Sequence, residues 1–333
     1  MTASGNIVRR SRPGQSLGFT VTELMVVIAI IAVIVAILVP TLSKVRSRAR
    51  TVQCLANQRQ IALATYSYAM SNASRLVSPR TDTNGTAFID GANQQMGPLG
   101  WKHTWVNAQD TGSTNQFVVY SGGRKYETPL AITSGALFPY IGDIKVYISP
   151  DEPTNPSAGA VSGEKTRIRS YSLNACLGTT RPDELPEFDD DFTAISLGTP
   201  APQLSQYNTT TIGTIKSPQR MMCTIVEDDS VDYNNQGWLV VPQTPNWIDW
   251  PAAWRPDAIT LSYVDGSTET YEIKVRGLIN AWDTFGHRFQ QPTSVNSANP
   301  NDPGDPVSAD WKFFRDRLNP SVIPNSTYLF GGQ

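Results

Sequence analysis

From Phe19 to Val39 every position is apolar except Thr20, Thr22 and Glu23, and from Leu24 onward the run is unbroken. At 1.5 Å per residue this stretch covers roughly 31 Å as a helix, about one hydrocarbon thickness of a bilayer. The pattern predicts a membrane span over residues 19–39. Beyond Pro40 the spacing stays helical. Leu38, Leu42, Val45, Ala49, Val52 and Ala56 recur at intervals of three and four, with Lys44, Arg46, Arg48, Arg50 and Arg59 elsewhere on the circumference. No glycine occurs from Phe19 to Arg75, and Ser71-Asn72-Ala73-Ser74 supplies a stop. The reading is one helix of roughly 55 residues, on the order of 80 Å if straight. Its continuation, residues 40–74, is expected to pack that apolar stripe on a globular body, residues 75–333. A freestanding coiled coil is disfavoured, because no sustained heptad with charged flanks accompanies the stripe.

The body reads as loop-rich. Residues 75–130 are punctuated by Asn84-Gly85, Gly97-Pro98 and Gly122-Gly123 and read as irregular surface with one strand at Phe117–Tyr120. Further strands are expected at Lys145–Ile148, Met221–Val226 and 237–241. Ile259, Leu261 and Tyr263 alternate, Asp265-Gly266 makes a two-residue turn, and Tyr271, Ile273 and Val275 alternate on the return, which predicts a β-hairpin. Residues 181–216 and 289–333, rich in Pro, Asn and Asp, read as an inserted loop and a meandering tail. The fold class is α+β: a long N-terminal helix on a mainly antiparallel sheet.

Composition narrows the chemistry. With 27 basic and 29 acidic side chains the net charge is −2, so nothing argues for nucleic acid as a partner. The three cysteines, Cys54, Cys176 and Cys223, form no CxxC pair, and a Cys176–Cys223 bridge is one arrangement open to an exported domain. His103 and His287 are too far apart in sequence for zinc-ligand spacing.

The glutamate is the residue to explain, because a carboxylate at a membrane edge is costly. Thr20-Val21-Thr22-Glu23 fits a capping box, with Thr20 as N-cap and Glu23 reaching back to its amide. A second account needs the chain cut between Gly18 and Phe19. The new α-amine of one subunit could then be neutralised by Glu23 of a neighbour. A secretory signal is disfavoured, since Pro-Thr-Leu-Ser-Lys-Val-Arg, not a small-residue site, follows the run.

Gly18-Phe19-Thr20-Val21-Thr22-Glu23-Leu24 followed by the apolar run resembles the class III signal of type IV pilins and type II secretion pseudopilins. The resemblance implies a cytoplasmic leader, residues 1–18, removed after Gly18 by a prepilin peptidase that also N-methylates Phe19. It assigns Glu23 to filament assembly and makes Pro40 a helix-breaking or kinking proline. Leu17 departs from the Lys or Arg common in the family before the glycine. Basic residues flank the span on both sides, so the positive-inside count does not orient it. The resemblance does: it implies a single-pass protein of the bacterial inner membrane with its C-terminal domain in the periplasm. Its partners would be the peptidase/methyltransferase, other pilin or pseudopilin subunits and inner-membrane lipid.

Further on, Gly135-Ala136-Leu137-Phe138-Pro139-Tyr140, Ser149-Pro150-Asp151 and Ser170-Tyr171-Ser172-Leu173-Asn174 follow in an order that resembles the planctomycete-type H-X9-DG prepilin-like group. Ser149 replaces that group's cysteine, and Arg255 stands where its histidine would precede Asp265-Gly266.

No GxSxG, HExxH or phosphate-binding glycine loop occurs, so the chain is not read as an enzyme. Asp189-Asp190-Asp191, Glu227-Asp228-Asp229 and the Asn301–Asp305 stretch read as solvated acidic turns, with Ca²⁺ the one cofactor such loops would suit. Trp238, Trp247, Trp250 and Trp254 read as core aromatics, with sugar stacking the competing role. The expected function is a structural pilin-like subunit of a secretion pseudopilus or type IV filament. The alternative is a membrane-anchored module that binds glycan or secreted cargo.

Overall fold

The computed structural model describes residues 20–79, 81, 104–107, 118–121, 124–152, 168–178, 209–227, 237–238, 240, 249, 251–252, 254, 258–273 and 306–321. The chain divides into two units, Met1–Ala49 and Arg50–Gln333. Helix α1 (Val21–Ser71) begins in the first and ends in the second.

In the first unit α1 is exposed at every residue from Val21 to Ala49. It is the one helix among the described residues long and apolar enough to cross a membrane. Pro40 lies inside it, and the helix runs on past the proline as the continuous pattern beyond residue 40 predicts. A proline there removes one amide donor and strands a carbonyl. Hydroxyls bond the carbonyls around it: Thr41 Oγ1 donates to Leu38 O at 2.8 Å and Ile37 O at 3.3 Å, and Ser43 Oγ to Pro40 O at 2.9 Å.

In the second unit a four-stranded antiparallel sheet runs in the order β3 (Tyr171–Leu173), β4 (Met222–Val226), β5 (Ala258–Tyr263), β6 (Thr268–Glu272). A separate hairpin pairs β1 (Val118–Ser121) with β2 (Arg124–Glu127). Short helices α2 (Pro129–Thr133) and α3 (Phe138–Ile141) follow, and α4 (Pro306–Leu318) closes the described chain.

The sheet is covered on both faces, which is why β5 is buried at five of its six positions rather than at alternate ones. On one face Thr260 meets α1 through Cys54 and Gln58. On the other, Tyr271 stacks on Phe313 of α4 with ring centroids 3.7 Å apart, and Arg317 donates to the Tyr263 hydroxyl at 2.7 Å. A bulge between Met222 and Thr224 lets Cys223 lie 3.9 Å from Thr65 of α1 while Thr224 bonds Ser262 at 2.6 Å.

Helix α1 enters this body with an unexpected face. The buried side chains are Cys54, Asn57, Gln58, Ile61, Ala62, Ala64, Thr65, Tyr68 and Ala69. The stripe expected to pack is exposed instead: Leu38, Leu42, Val45, Ala49, Val52 and Ala56 are all exposed, and after Arg59 and Gln60 the apolar residues Leu63, Tyr66 and Met70 are exposed as well. The polar inward positions tolerate burial because the body supplies partners, as with Asn57 Nδ2 donating to Ile148 O at 3.0 Å. The helix stops where expected. Asn72 caps Tyr68 O at 2.8 Å, and Ala73 and Ser74 turn left-handed with φ of 53° and 65°.

Several expectations need correction. Residues Ile144–Tyr147 form a 3₁₀ turn rather than a strand, because Asp143 caps the Lys145 amide at 2.9 Å. The hairpin loop has three residues, not two: Gly266 N–H donates to Tyr263 O, Tyr263 N–H to Ser267 O, and Gly266 takes φ 84°. Of the strand expected over 237–241, Trp238 forms a parallel bridge to Asn174, while residues 239 and 241 lie outside the described residues. The 75–130 region is not all surface, since Leu76, Val77, Trp105 and Val106 are buried. The C-terminal tail carries α4, which supplies Trp311, Phe314 and Leu318 to the core.

Candidate functional site

Gly18 and Phe19, the expected cleavage and methylation positions, lie outside the described residues. The next residues are described, and they form a capping box. The Thr20 amide donates to Glu23 Oε2 at 2.8 Å, the Thr20 hydroxyl donates to the same oxygen at 2.7 Å, and the Glu23 amide donates to Thr20 Oγ1 at 3.3 Å. The box satisfies two amides that the start of a helix otherwise leaves open. Glu23 is also the only carboxylate on α1, and the next acidic residue in the chain is Asp82.

Two residues of the second resemblance, Ser149 and Tyr171, meet Cys54 at the seam between α1 and the sheet, and the others tie the body elsewhere. Ser149 Oγ lies 3.7 Å from Cys54 Sγ, and the Ser149 amide donates to Ser170 Oγ at 2.8 Å. Tyr171 donates its hydroxyl to Cys54 Sγ at 3.3 Å. Asn174 Nδ2 donates to Met222 O at 2.9 Å and Leu318 O at 2.7 Å, tying β3 to β4 and α4. Gly135 passes so close to Trp105 that a Cβ there would sit 2.3 Å from its carbonyl oxygen. These residues hold the body together. Burial pushes the Cys54 thiol up, against smaller opposing effects from its hydrogen bonds to Thr260, Tyr171 and Ser149, so it is a neutral packing group rather than a nucleophile.

Cys176 and Cys223 are free thiols, so the bridge between them is not formed. Both are enclosed by the core, and burial pushes each up to about 12.

A buried ionic group links β2, β3 and β4. Arg169 pairs with Glu127 at 2.7 Å, with both side chains almost fully enclosed, and donates to Ser172 Oγ and Tyr171 O at 3.1 Å each. Ser172 in turn donates to Glu227. Arg169 also lies over the Trp105 ring, 5.4 Å from its centroid. Glu227 is therefore an interior residue and not part of a solvated acidic turn. Asp228, Asp229, Asp189, Asp190, Asp191 and the 301–305 stretch lie outside the described residues. Among the described residues no group of three His, Cys, Asp or Glu side chains could hold a metal ion. Trp238 is buried and packs edge-on against Phe314, at 5.3 Å between centroids. Trp254 is partly buried against the core, and Trp247 and Trp250 lie outside the described residues.

Sequence reasoning assigns α1 the wrong inward face and so misses its exposed row. The signal that finds the row is the absence of any glutamate or aspartate from Leu24 to Thr81 together with apolar Leu42, Val45 and Val52 and, after a gap at Arg59 and Gln60, Leu63, Tyr66 and Met70. Comparison with family models, with curated proteins and with solved structures gives no match.

Proposed function

We propose that the chain is a pilin-like structural subunit, cut after Gly18 and N-methylated at Phe19 by a prepilin peptidase. In this reading residues 19–39 anchor it in the bacterial inner membrane with the body on the periplasmic side. It then joins a type II secretion-like pseudopilus or a type IV filament through α1. The observation that carries the reading is the outward apolar face of α1. Lipid would cover Leu24 to Val39, but Val45, Val52, Leu63, Tyr66 and Met70 lie beyond the span and are exposed. An exposed apolar face of this length, interrupted only around Arg59 and Gln60, suits another helix packed along it. A simple anchor needs no such row. Glu23 has the chemistry for the pairing step. Its capping bonds both fall on Oε2, which leaves Oε1 for an amine on a neighbouring copy.

N-terminal mass spectrometry of protein isolated from membranes tests the processing step: a methylated Phe19 start is expected, and a chain beginning at Met1 would refute it. Glu23→Ala tests assembly. Retained membrane insertion with lost incorporation into filaments supports the reading, whereas normal incorporation removes it and leaves an anchored binding module.

A further inference from the structure

We infer that Lys44, Arg46, Arg48 and Arg50 form a collar that binds the phosphate headgroups of anionic phospholipid at the edge of the bilayer. The inference rests on the reading that the apolar half of α1 lies in a membrane. Residues two apart on a helix are about 200° apart, so Lys44 and Arg48 share one side and Arg46 and Arg50 share the other. All four are exposed, and the helix continues without interruption through them. The collar therefore surrounds the helix rather than marking one face.

Its depth follows from the length of the span. Lys44 lies five residues beyond Val39, or about 7.5 Å, and Arg50 about 16 Å. The headgroup layer extends roughly 5–8 Å beyond the hydrocarbon core. Lys44 and Arg46 reach it with their side chains, and Arg48 and Arg50 lie within about one Debye length, ~8 Å, of its outer edge.

The protein does not neutralise this charge along the helix. No acidic residue occurs from Leu24 to Thr81, and Ser43, Val45, Ser47, Ala49, Thr51 and Gln53 flank or separate the four cations. An anion at headgroup depth is what the position offers. Bound headgroups would also screen the collars of neighbouring copies from one another as helices pack, since like charges brought together otherwise oppose assembly.

The test uses the full-length chain in phosphatidylcholine vesicles carrying a trace of spin-labelled phosphatidylglycerol or spin-labelled phosphatidylcholine. The lipid motionally restricted at the protein is read by electron paramagnetic resonance. The background is the R9Q/R10Q/R12Q variant, so that leader arginines do not contribute. The labelled phosphatidylglycerol should be preferred several-fold, because one basic residue near an anionic headgroup contributes at most about fivefold. K44Q/R46Q/R48Q/R50Q, which changes only exposed side chains, should reduce the preference to near unity, and molar salt should do the same to the parent. An unchanged preference in the fourfold variant, no preference in the parent, or displacement by inorganic phosphate at constant ionic strength would each overturn the collar as a lipid site. A chain that fails to co-float with the vesicles overturns the membrane reading itself, which separates the two failures.

Discussion

Cys54 Sγ and Ser149 Oγ lie 3.7 Å apart, both buried, across 95 positions of sequence. They join α1 to the loop before β3. Serine to cysteine at this position replaces the hydroxyl with a longer-bonded thiol pointed at an existing one. Ser149→Cys should therefore form a disulfide between Cys54 and the introduced thiol under mild oxidation. Closing so long a loop should stabilise the body by about 2–4 kcal/mol relative to the reduced variant, with strain setting the shortfall from the entropic maximum. Peptide mapping identifies the bond, and denaturant midpoints with and without reductant give the gain. A variant that stays reduced would show that helix and loop are not juxtaposed, and one that oxidises but melts earlier would show that strain outweighs the loop-closure gain.

Gln58 makes the complementary polar contact, donating from Nε2 to Thr260 O at 2.9 Å and approaching Thr260 Oγ1 at 3.3 Å. Removing it costs a hydrogen bond in a buried setting and leaves a void. Gln58→Ala should destabilise the body by about 2–3 kcal/mol. Gln60→Ala, two residues on and exposed, should change stability by no more than about 0.5 kcal/mol. Urea midpoints of the two variants decide the matter. Equal effects would place Gln58 outside the core.

The buried thiols give a pH prediction. Burial raises Cys176 and Cys223 from 9.0 to about 12, so each stays neutral in the folded chain when the unfolded chain would already ionise. The unfolded state then binds fewer protons, and stability falls as pH rises. The full contribution is present below about pH 9, and it is lost progressively as pH climbs from there towards 12. Tyr68 and Tyr263, raised to about 12 from 10.0 with burial the main cause, add to the loss above pH 10. Denaturant midpoints should drop across this window, and the drop should be smaller in Cys176→Ala and Cys223→Ala, whose cavity cost is the same at every pH. In the same protein no thiol should react with an aromatic disulfide reagent at neutral pH before unfolding, and all three should react after it. A single reactive thiol after unfolding would reveal a disulfide between the other two.

What the sequence disclosed was what local rules govern. The long apolar helix, its stop at Ser71 to Ser74, β4 and the hairpin that turns near Gly266 follow from apolar runs, turn residues and alternation, and all are present. The failures share a cause. A pattern reading assigns the most apolar face of a helix to the core, yet α1 buries Asn57, Gln58 and Thr65, and the Asn57 and Gln58 amide nitrogens find acceptors as far as 202 positions away. Helix α4 escapes such a reading because Pro306 and Asp310 sit in a run that resembles tail, although Trp311, Phe314 and Leu318 have helical spacing. Ser149 stands in the sequence only as the replacement of a cysteine, and its contact with Cys54 shows what lies opposite it.

The outward face of α1 is open to a direct contrast between Val52, which is 66 % exposed, and Ile61, which is wholly enclosed. Ile61→Glu places a charge in the core and should cost at least about 4 kcal/mol, enough to unfold a marginal body. Val52→Glu meets water and should leave the melting temperature and membrane insertion unchanged. If α1 packs along its outer row on a second helix, the same Val52→Glu should abolish co-purification of two differently tagged full-length copies from membranes, because a carboxylate replaces an apolar contact at a helix seam. Val52→Leu should retain it, which separates the charge from the mere change of side chain. Undiminished co-purification of the glutamate variant would mean that this row carries no subunit contact. Loss of folding in that variant would mean that the body covers the face after all.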